Sequence, residues 1–101
     1  MKVAVRKPRD AFKHDDPDPI DVFVGQRVRE CRKRQRLTQA AVAEYLGVTF
    51  PAVQRYESGS IRIAASTLYR LARVLSVAPG SFFEGYDGPF RSLPQAGANN
   101  E

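Results

Sequence analysis

The chain has 101 residues, 43% of them apolar and none of them tryptophan, which leaves room for one modest core and short tails. No apolar run approaches the roughly 20 residues that cross a bilayer, and residues 1–13 are too charged for a secretory signal. These features exclude membrane-spanning and secreted classes, so we expect a cytoplasmic protein without a membrane partner. The net charge of +5 favours an anionic partner, of which nucleic acid and anionic membranes are the general candidates.

The positive charge is concentrated in the first third of the chain. Residues 1–14 carry a net charge of +4, residues 15–21 contain four aspartates, and residues 22–37 carry a net charge of +5. We interpret residues 1–17 as a flexible basic arm with an acidic linker. His14 lies beside Asp15 and Asp16, but no rigid element holds these side chains together. A solvated linker is therefore predicted there, and no metal site.

Two amphipathic helices are predicted next. Asp18 is a suitable N-cap and Pro19 fits the first helical position, so the first helix runs to about Arg36. Thr38 is the predicted cap of the second helix, which Gly47 ends because glycine tolerates the positive φ common there. The apolar stripe of the first helix consists of Ile20, Val24, Val28 and Cys31. Cys31 is interpreted as a small buried hydrophobe, with a redox-sensing thiol as the alternative.

Three more helices complete the predicted domain. Thr49 caps a third helix that runs to Glu57, and the Ser-Gly-Ser turn at residues 58–60 ends it. A fourth helix follows a loop at residues 61–63, with inward positions Leu68, Leu71, Ala72 and Leu75. Pro79 begins a short fifth helix that places Phe82 and Phe83 against the bundle. The prediction is therefore an all-α, compact five-helix domain over residues 18–86, with a flexible tail over residues 87–101.

Residues 39–57 have the pattern of a DNA-binding helix-turn-helix. Ala43 is small at the point where the second helix must allow the third to cross closely, and Gly47 permits the tight turn four residues later. Val53, six residues further on, is a branched apolar residue that fills the angle between the helices. Each residue alone is a weak signal, but together at this spacing they predict that the intervening residues face DNA.

Over residues 24–84 the chain resembles the xenobiotic-response-element family of helix-turn-helix regulators, which includes the lambda repressor and Cro proteins. The matching residues are Gly25-x-Arg27-Val28-Arg29, Leu37-Thr38-Gln39, Val42-Ala43-x-x-Leu46-Gly47-Val48, Val53-x-x-Tyr56-Glu57-x-Gly59, Leu68-x-x-Leu71-Ala72-x-x-Leu75 and Phe82-Phe83. The resemblance implies a lambda-repressor-like fold that binds double-stranded DNA as a homodimer.

The resemblance also implies roles for individual residues. Gln39 would hydrogen-bond a phosphate or a base edge beside the N-terminus of the second helix. Arg55, on a third helix lying in the major groove, would bind guanine, and Phe50 would contact a thymine methyl group. Arg32 and Glu57 match a buried ion pair that fixes geometry. The full set of DNA-contact candidates is Gln39, Thr49, Phe50, Pro51, Gln54, Arg55, Thr38, Arg32, Ser60 and Arg62.

Three features depart from the family pattern. Ala40 and Ala41 replace acidic residues that often complete the cap of the second helix. Phe50 and Pro51 replace polar residues on the DNA-facing surface, so the target sequence does not follow from the resemblance. Ala64 stands where a serine normally caps the fourth helix, so this helix is expected to begin without a side-chain cap.

We therefore expect a sequence-specific transcriptional regulator, a repressor that binds a partly palindromic operator as a homodimer. The alternative is a protein-interaction module, an antitoxin or co-regulator with auxiliary DNA binding, for which residues 90–93 would contact the protein partner. No cofactor or enzymatic activity is predicted, because the chain has one histidine, no phosphate loop and no nucleophile paired with a base.

Three further points stay open at this stage. The basic run at residues 32–34 is either a solvated face or a phosphate contact. The N-terminal arm is either inert or enters the minor groove. Any exposed part of Phe82, Phe83 or Tyr86 would form a dimer contact.

Overall fold

The protein is described by a computed structural model that covers residues 17–89. Four α-helices and one 3₁₀ helix follow one another there: α1 Pro19–Arg34, α2 Gln39–Leu46, α3 Phe50–Ser58, α4 Ala65–Leu75 and the 3₁₀ helix Pro79–Phe83. Residues 17–89 contain no strand, which confirms the all-α class, and no helix among them is long and apolar enough to cross a membrane. The predicted short fifth helix, Pro79–Phe83, is a 3₁₀ helix, in which the Ser81 N–H donates to the carbonyl three residues earlier, that of Ala78, at 2.9 Å.

The first three helices begin where side-chain caps were predicted. The Asp18 carboxylate accepts a hydrogen bond from the Ile20 N–H at 2.8 Å. The hydroxyl oxygens of Thr38 and Thr49 accept from the N–H groups three residues later, at 3.0 and 3.2 Å. Ala64, at the start of α4, makes no side-chain cap bond, which also agrees with the prediction. Local side-chain chemistry therefore sets three of the four α-helix starts.

Helix α1 ends at Arg34, two residues earlier than predicted. Arg36 adopts a left-handed conformation with φ of 59°, and the Leu37 N–H turns back to donate to the Arg32 carbonyl at 3.1 Å. This is a Schellman-type end, which usually contains glycine at the left-handed position. Because an arginine occupies this position here, no residue type in this segment indicates the end of the helix.

The core consists of the inward face of every helix. The fully or almost fully buried apolar side chains are Val24, Val28, Cys31, Val42, Ala43, Val53, Leu71, Ala72, Leu75 and Phe82. The predicted stripe of α1 is confirmed, with Ile20 half-buried at its start. Cys31 is 3% exposed, so its predicted burial is confirmed as well. The core thus fixes α3 from one side only and leaves its other side exposed.

Two glycines bring the backbones of α1 and α3 into direct contact. A Cβ atom on Gly25 would lie 2.2 Å from the carbonyl oxygen of Tyr56 and 2.8 Å from that of Glu57. A Cβ on Gly59, which ends α3 with φ of +78°, would lie 2.6 Å from the Val22 Cα. Side chains at these positions would separate the helices, so both glycines determine how closely α3 approaches α1.

An arginine on α1 holds the C-terminal end of the domain. The Arg27 guanidinium donates hydrogen bonds of 2.9 Å to the carbonyl oxygens of Ser81 and Glu84. It also lies 5.0 Å from the centre of the Phe23 ring. The centroids of the Phe23 and Tyr86 rings lie 5.2 Å apart, with an angle of 69° between the ring planes. This contact with the last helical turn was not predicted.

The two phenylalanines of the 3₁₀ helix differ in burial. Phe82 is completely buried, as expected, whereas Phe83 is 44% exposed, so the prediction that both rings pack against the bundle is wrong for Phe83. Successive side chains of a 3₁₀ helix point about 120° apart, and Phe83 is not among the apolar side chains that pack against the core.

Candidate nucleic-acid interface

Helices α2 and α3 form the predicted helix-turn-helix. Gly47 ends α2 in a left-handed conformation with φ of 72°, and the Val48 N–H donates to the Ala43 carbonyl at 3.0 Å. Ala43 is 5% exposed and Val53 is fully buried, as their predicted positions between the crossing helices require. The turn therefore holds α3 at a fixed angle to α2.

One face of α3 is buried and the other is open to solvent. Val53 and Glu57 point inward. The five predicted contact residues of α3 and its cap are all exposed: Thr49, Phe50, Pro51, Gln54 and Arg55. Residues four apart in a helix share a face, so Phe50 lies beside Gln54, and Pro51 beside Arg55. The structure thus brings these candidates together on one surface.

A buried polar network supports this surface from behind. Glu57 is 7% exposed, and its carboxylate accepts two hydrogen bonds from Arg32, at 2.6 Å from Nε and 3.0 Å from Nη2. The remaining Nη1 of Arg32 donates to the Leu37 carbonyl at 2.9 Å. The ion pair that the resemblance implied is therefore present. The Arg32 side chain is 11% exposed and directed at Glu57 and Leu37, and its contact with DNA stays a prediction.

Gln39, at the start of α2, joins the same network. Its Nε2 donates to the Glu57 Oε1 at 2.9 Å, a bond that the sequence analysis missed. Glu57 therefore links α1, the start of α2 and the end of α3. The contact joins residues 18 positions apart, and no local pattern announces it.

The other candidates lie at the edges of the α3 surface. Thr38 is exposed and caps α2, while Ser60 and Arg62 are exposed in the loop after α3. The Ser60 hydroxyl lies 3.0 Å from that of Ser58. Burial raises the pKa of Asp21, helped by the negative charge of Asp18 and opposed by the positive charge of Arg62. Arg62 is thus close enough to α1 for its charge to reach the first helical turn.

Several predictions fall outside residues 17–89. These are the basic arm, the residues around His14, the segment 90–93 and most of the C-terminal tail. In the described part, Lys33 and Arg34 of the basic run are exposed in the last turn of α1.

Known proteins with similar sequences include helix-turn-helix regulators. The family model HTH_3, described as helix-turn-helix, matches residues 28–82. An uncharacterised helix-turn-helix-type transcriptional regulator of Sinorhizobium fredii is 41% identical over 80 residues, which cover 79% of this chain and 56% of that protein. The chain spans little more than half the length of this and two further curated relatives.

The fold is also similar to those of solved structures. The restriction-modification controller protein C.AhdI from Aeromonas hydrophila superimposes with a TM-score of 0.59 at 31% identity, covering 61% of this chain and 94% of that one. The P22 c2 repressor, crystallised in complex with a synthetic operator, gives a TM-score of 0.58 at 27% identity, covering 62% of this chain and 96% of that one.

Proposed function

This chain belongs to the helix-turn-helix family of transcriptional regulators, and we propose that it is a sequence-specific repressor that binds double-stranded DNA as a homodimer. The observation that carries the proposal is the exposed face of α3, where Gln54 and Arg55 stand on a helix whose opposite face is buried. A rigid helix is needed because a side chain must be held within hydrogen-bonding distance of a base edge.

Arg55 is the residue that we assign to guanine. Its planar guanidinium matches the O6 and N7 acceptors that guanine presents in the major groove. It is exposed on the same helical face as Pro51, one turn earlier. Gln54 has the complementary chemistry for adenine, since its amide both donates and accepts.

The start of α2 supplies the proposed phosphate contact. Thr38 accepts hydrogen bonds from the N–H groups of Ala41 and Val42, which leaves those of Gln39 and Ala40 ahead of the first intrahelical bonds. Such groups, with the positive end of the helix dipole, attract an anionic oxygen. The Gln39 amide, held by Glu57, lies at the same helix end.

We place the homodimer contact on another part of the domain, at the partly exposed ring of Phe83. Phe83 is 44% exposed on the 3₁₀ helix, which packs chiefly on α1 and α4. A contact there between two copies would bury both rings and keep each α3 available for DNA. Two such helices read adjacent major grooves when they lie about 34 Å apart, with half-sites about 10 base pairs apart.

The relatives of this chain are named as transcriptional regulators, which supports a non-enzymatic role in the cytoplasm. The alternative is an interaction module for which DNA is secondary. Ionic strength distinguishes the two, because several phosphate contacts make affinity for DNA fall steeply with added salt. A module with a mainly apolar protein interface would respond weakly.

The test is selection from a random double-stranded DNA library at near-physiological salt, with three proteins in parallel. The wild type should enrich a two-fold symmetric motif. Arg55→Ala should bind that motif about 5- to 150-fold more weakly and tolerate any base at one position of each half-site. Arg70→Ala removes the same charge from an exposed position on α4 and should select the wild-type motif.

Three results would count against the proposal. If the wild type enriches no motif, sequence-specific binding by this chain is wrong. If Arg55→Ala selects the wild-type motif with wild-type affinity, the assignment of Arg55 to guanine is wrong even though specific binding stands. An asymmetric motif of a single half-site would contradict the homodimer.

A further inference from the structure

We infer that Arg36, in the turn between α1 and α2, binds a phosphate of the DNA backbone, and that a strained backbone conformation is retained there for this contact. The assignment rests on the proposed function and adds to it a contact that supplies affinity without reading sequence. Three properties of this residue lead to it: its backbone conformation, its unpaired charge and its place beside the helix-turn-helix.

The backbone conformation of Arg36 is unusual for its residue type. Each of the four described α-helices is followed by a residue in the left-handed conformation, and the other three are Gly47, Gly59 and Ser76. Glycine adopts this conformation without a steric penalty, and serine is at least small and neutral. Arg36, with φ of 59°, combines a long charged side chain with a conformation that is unfavourable for any residue with a Cβ atom. Such strain is typical of residues that act in binding.

The local structure gives no reason for an arginine in this turn. A cation near the end of a helix is stabilised by the helix dipole, but the last turn of α1 already contains three, namely Arg32, Lys33 and Arg34. A further positive charge adds repulsion among them. Arg36 is exposed and forms no ion pair with any residue in the described part of the chain. Its charge is therefore available to a partner outside the domain.

The turn is held rigidly at the edge of the candidate interface. The Leu37 N–H donates to the Arg32 carbonyl at 3.1 Å, and the Arg32 Nη1 donates back to the Leu37 carbonyl at 2.9 Å. Arg32 and Gln39 both donate to the carboxylate of Glu57 near the end of α3. Arg36 lies between these two donors in the chain. Its Cα is within about 11 Å of that of Gln39, because three residues span no more than this.

The DNA backbone has the chemistry that this charge requires. A duplex carries one negative charge for about every 1.7 Å of its axis, and a guanidinium can donate two parallel hydrogen bonds to phosphate oxygens. When α3 lies in the major groove, α2 crosses the backbone, so the turn before α2 lies close to the phosphates. A phosphate contact carries no base preference. Loss of Arg36 should therefore weaken binding to every sequence and leave the selected motif unchanged.

The variant Arg36→Gly tests the inference, because one substitution relieves the strain and removes the charge. Tm should rise by about 4 °C, while affinity for DNA should fall. On sheared mixed-sequence duplex DNA, the slope of log affinity against log salt concentration should become less steep by about 1 for each bound protomer. From the random library, this variant should still enrich the wild-type motif. A merely structural role would change Tm and affinity in the same direction.

Three further variants separate the strain from the charge. Ser76→Gly makes the same change at the other left-handed residue that is not glycine, with φ of 61°, and calibrates the gain in Tm. Arg36→Lys keeps both the charge and the strain, so its salt slope and Tm should remain those of the wild type. Arg70→Ala removes a positive charge from an exposed position on α4 and should also keep the wild-type slope. Thermal unfolding followed by circular dichroism supplies each Tm and shows that each variant is folded.

The outcomes distinguish this contact from the function on which it rests. A wild-type salt slope in Arg36→Gly would overturn the inference, because no phosphate contact would have been lost. A fall in both Tm and affinity would overturn it too, since Arg36 would then act through the fold. If the library yields no motif but Arg36→Gly lowers the slope on mixed-sequence DNA, the proposed sequence-specific function is wrong and the phosphate contact stands.

Discussion

The substitution Gly25→Ala tests the close contact between α1 and α3. The new Cβ would lie 2.2 Å from the Tyr56 carbonyl oxygen and 2.8 Å from that of Glu57, where ordinary contact begins at 3.4 Å. Both neighbours are backbone atoms, so the helices must separate by about 1 Å. Overpacking lowers the free energy of unfolding by about 1–3 kcal/mol, and the higher helix propensity of alanine raises it by about 1 kcal/mol. Because two backbone oxygens are met at once, we take the upper end and expect a net loss of about 2 kcal/mol.

Thermal unfolding followed by circular dichroism measures this loss. In a domain of this size, about 2 kcal/mol lowers Tm by about 8–16 °C. Gly80→Ala is the matched control, because a Cβ there meets no atom within 4 Å and should leave Tm unchanged or slightly higher. A Gly25→Ala variant with the Tm of the wild type would refute the reasoning, because the two helix backbones would then separate without a loss of free energy of unfolding.

Three further experiments test the cap of α4, the buried ion pair and the titration of Asp21. Ala64→Ser should supply the missing cap of α4 and stabilise the domain by about 1 kcal/mol, seen as a higher Tm, whereas Ala64→Val should not. Glu57→Ala leaves the buried guanidinium of Arg32 unpaired and should cost about 3–5 kcal/mol. Combining Arg32→Met with Glu57→Leu should recover much of that loss in urea unfolding, and a double variant as unstable as Glu57→Ala would contradict this account. Burial and the charge of Asp18 raise the pKa of Asp21, so its contribution to stability is present in acid and is lost as pH rises through the folded pKa. The side chain in Asp21→Asn cannot ionise, so this variant should gain stability relative to the wild type as the pH rises from about 3 to about 7. If the difference between the urea midpoints of variant and wild type is the same at both pH values, the sign of this pH dependence is refuted.

The helix starts and the core could be predicted because they depend on local chemistry. Asp18, Thr38 and Thr49 cap their helices through residues two or three positions away, and such bonds are visible in any short segment. The end of α1 was not predicted, because the residue there does not indicate a helix end. Its left-handed residue is Arg36, whereas a glycine usually marks such a position.

The contacts that orient α3 join distant parts of the chain. Gly25 touches the end of α3, and Gln39 donates to Glu57, but neither pairing follows from a periodic pattern. A glycine inside a helix was the available sign of close backbone approach. Such a glycine indicates that another segment of the chain approaches closely, but it does not identify that segment. The candidate contact residues of α3 were predicted as a set from the family resemblance, and the structure shows them exposed on the side opposite Val53 and Glu57.

The division of α3 into two faces bears on how such regulators change their targets. The residues that fix its position, Val53 and Glu57, are buried. The bases it contacts would be chosen by Phe50, Gln54 and Arg55, none of which is in the core. Exchanging those exposed side chains for ones from a relative should therefore transfer operator preference without refolding the scaffold. Descendants of one ancestral domain can in this way acquire new operators through a few surface substitutions, while the residues behind them stay the same.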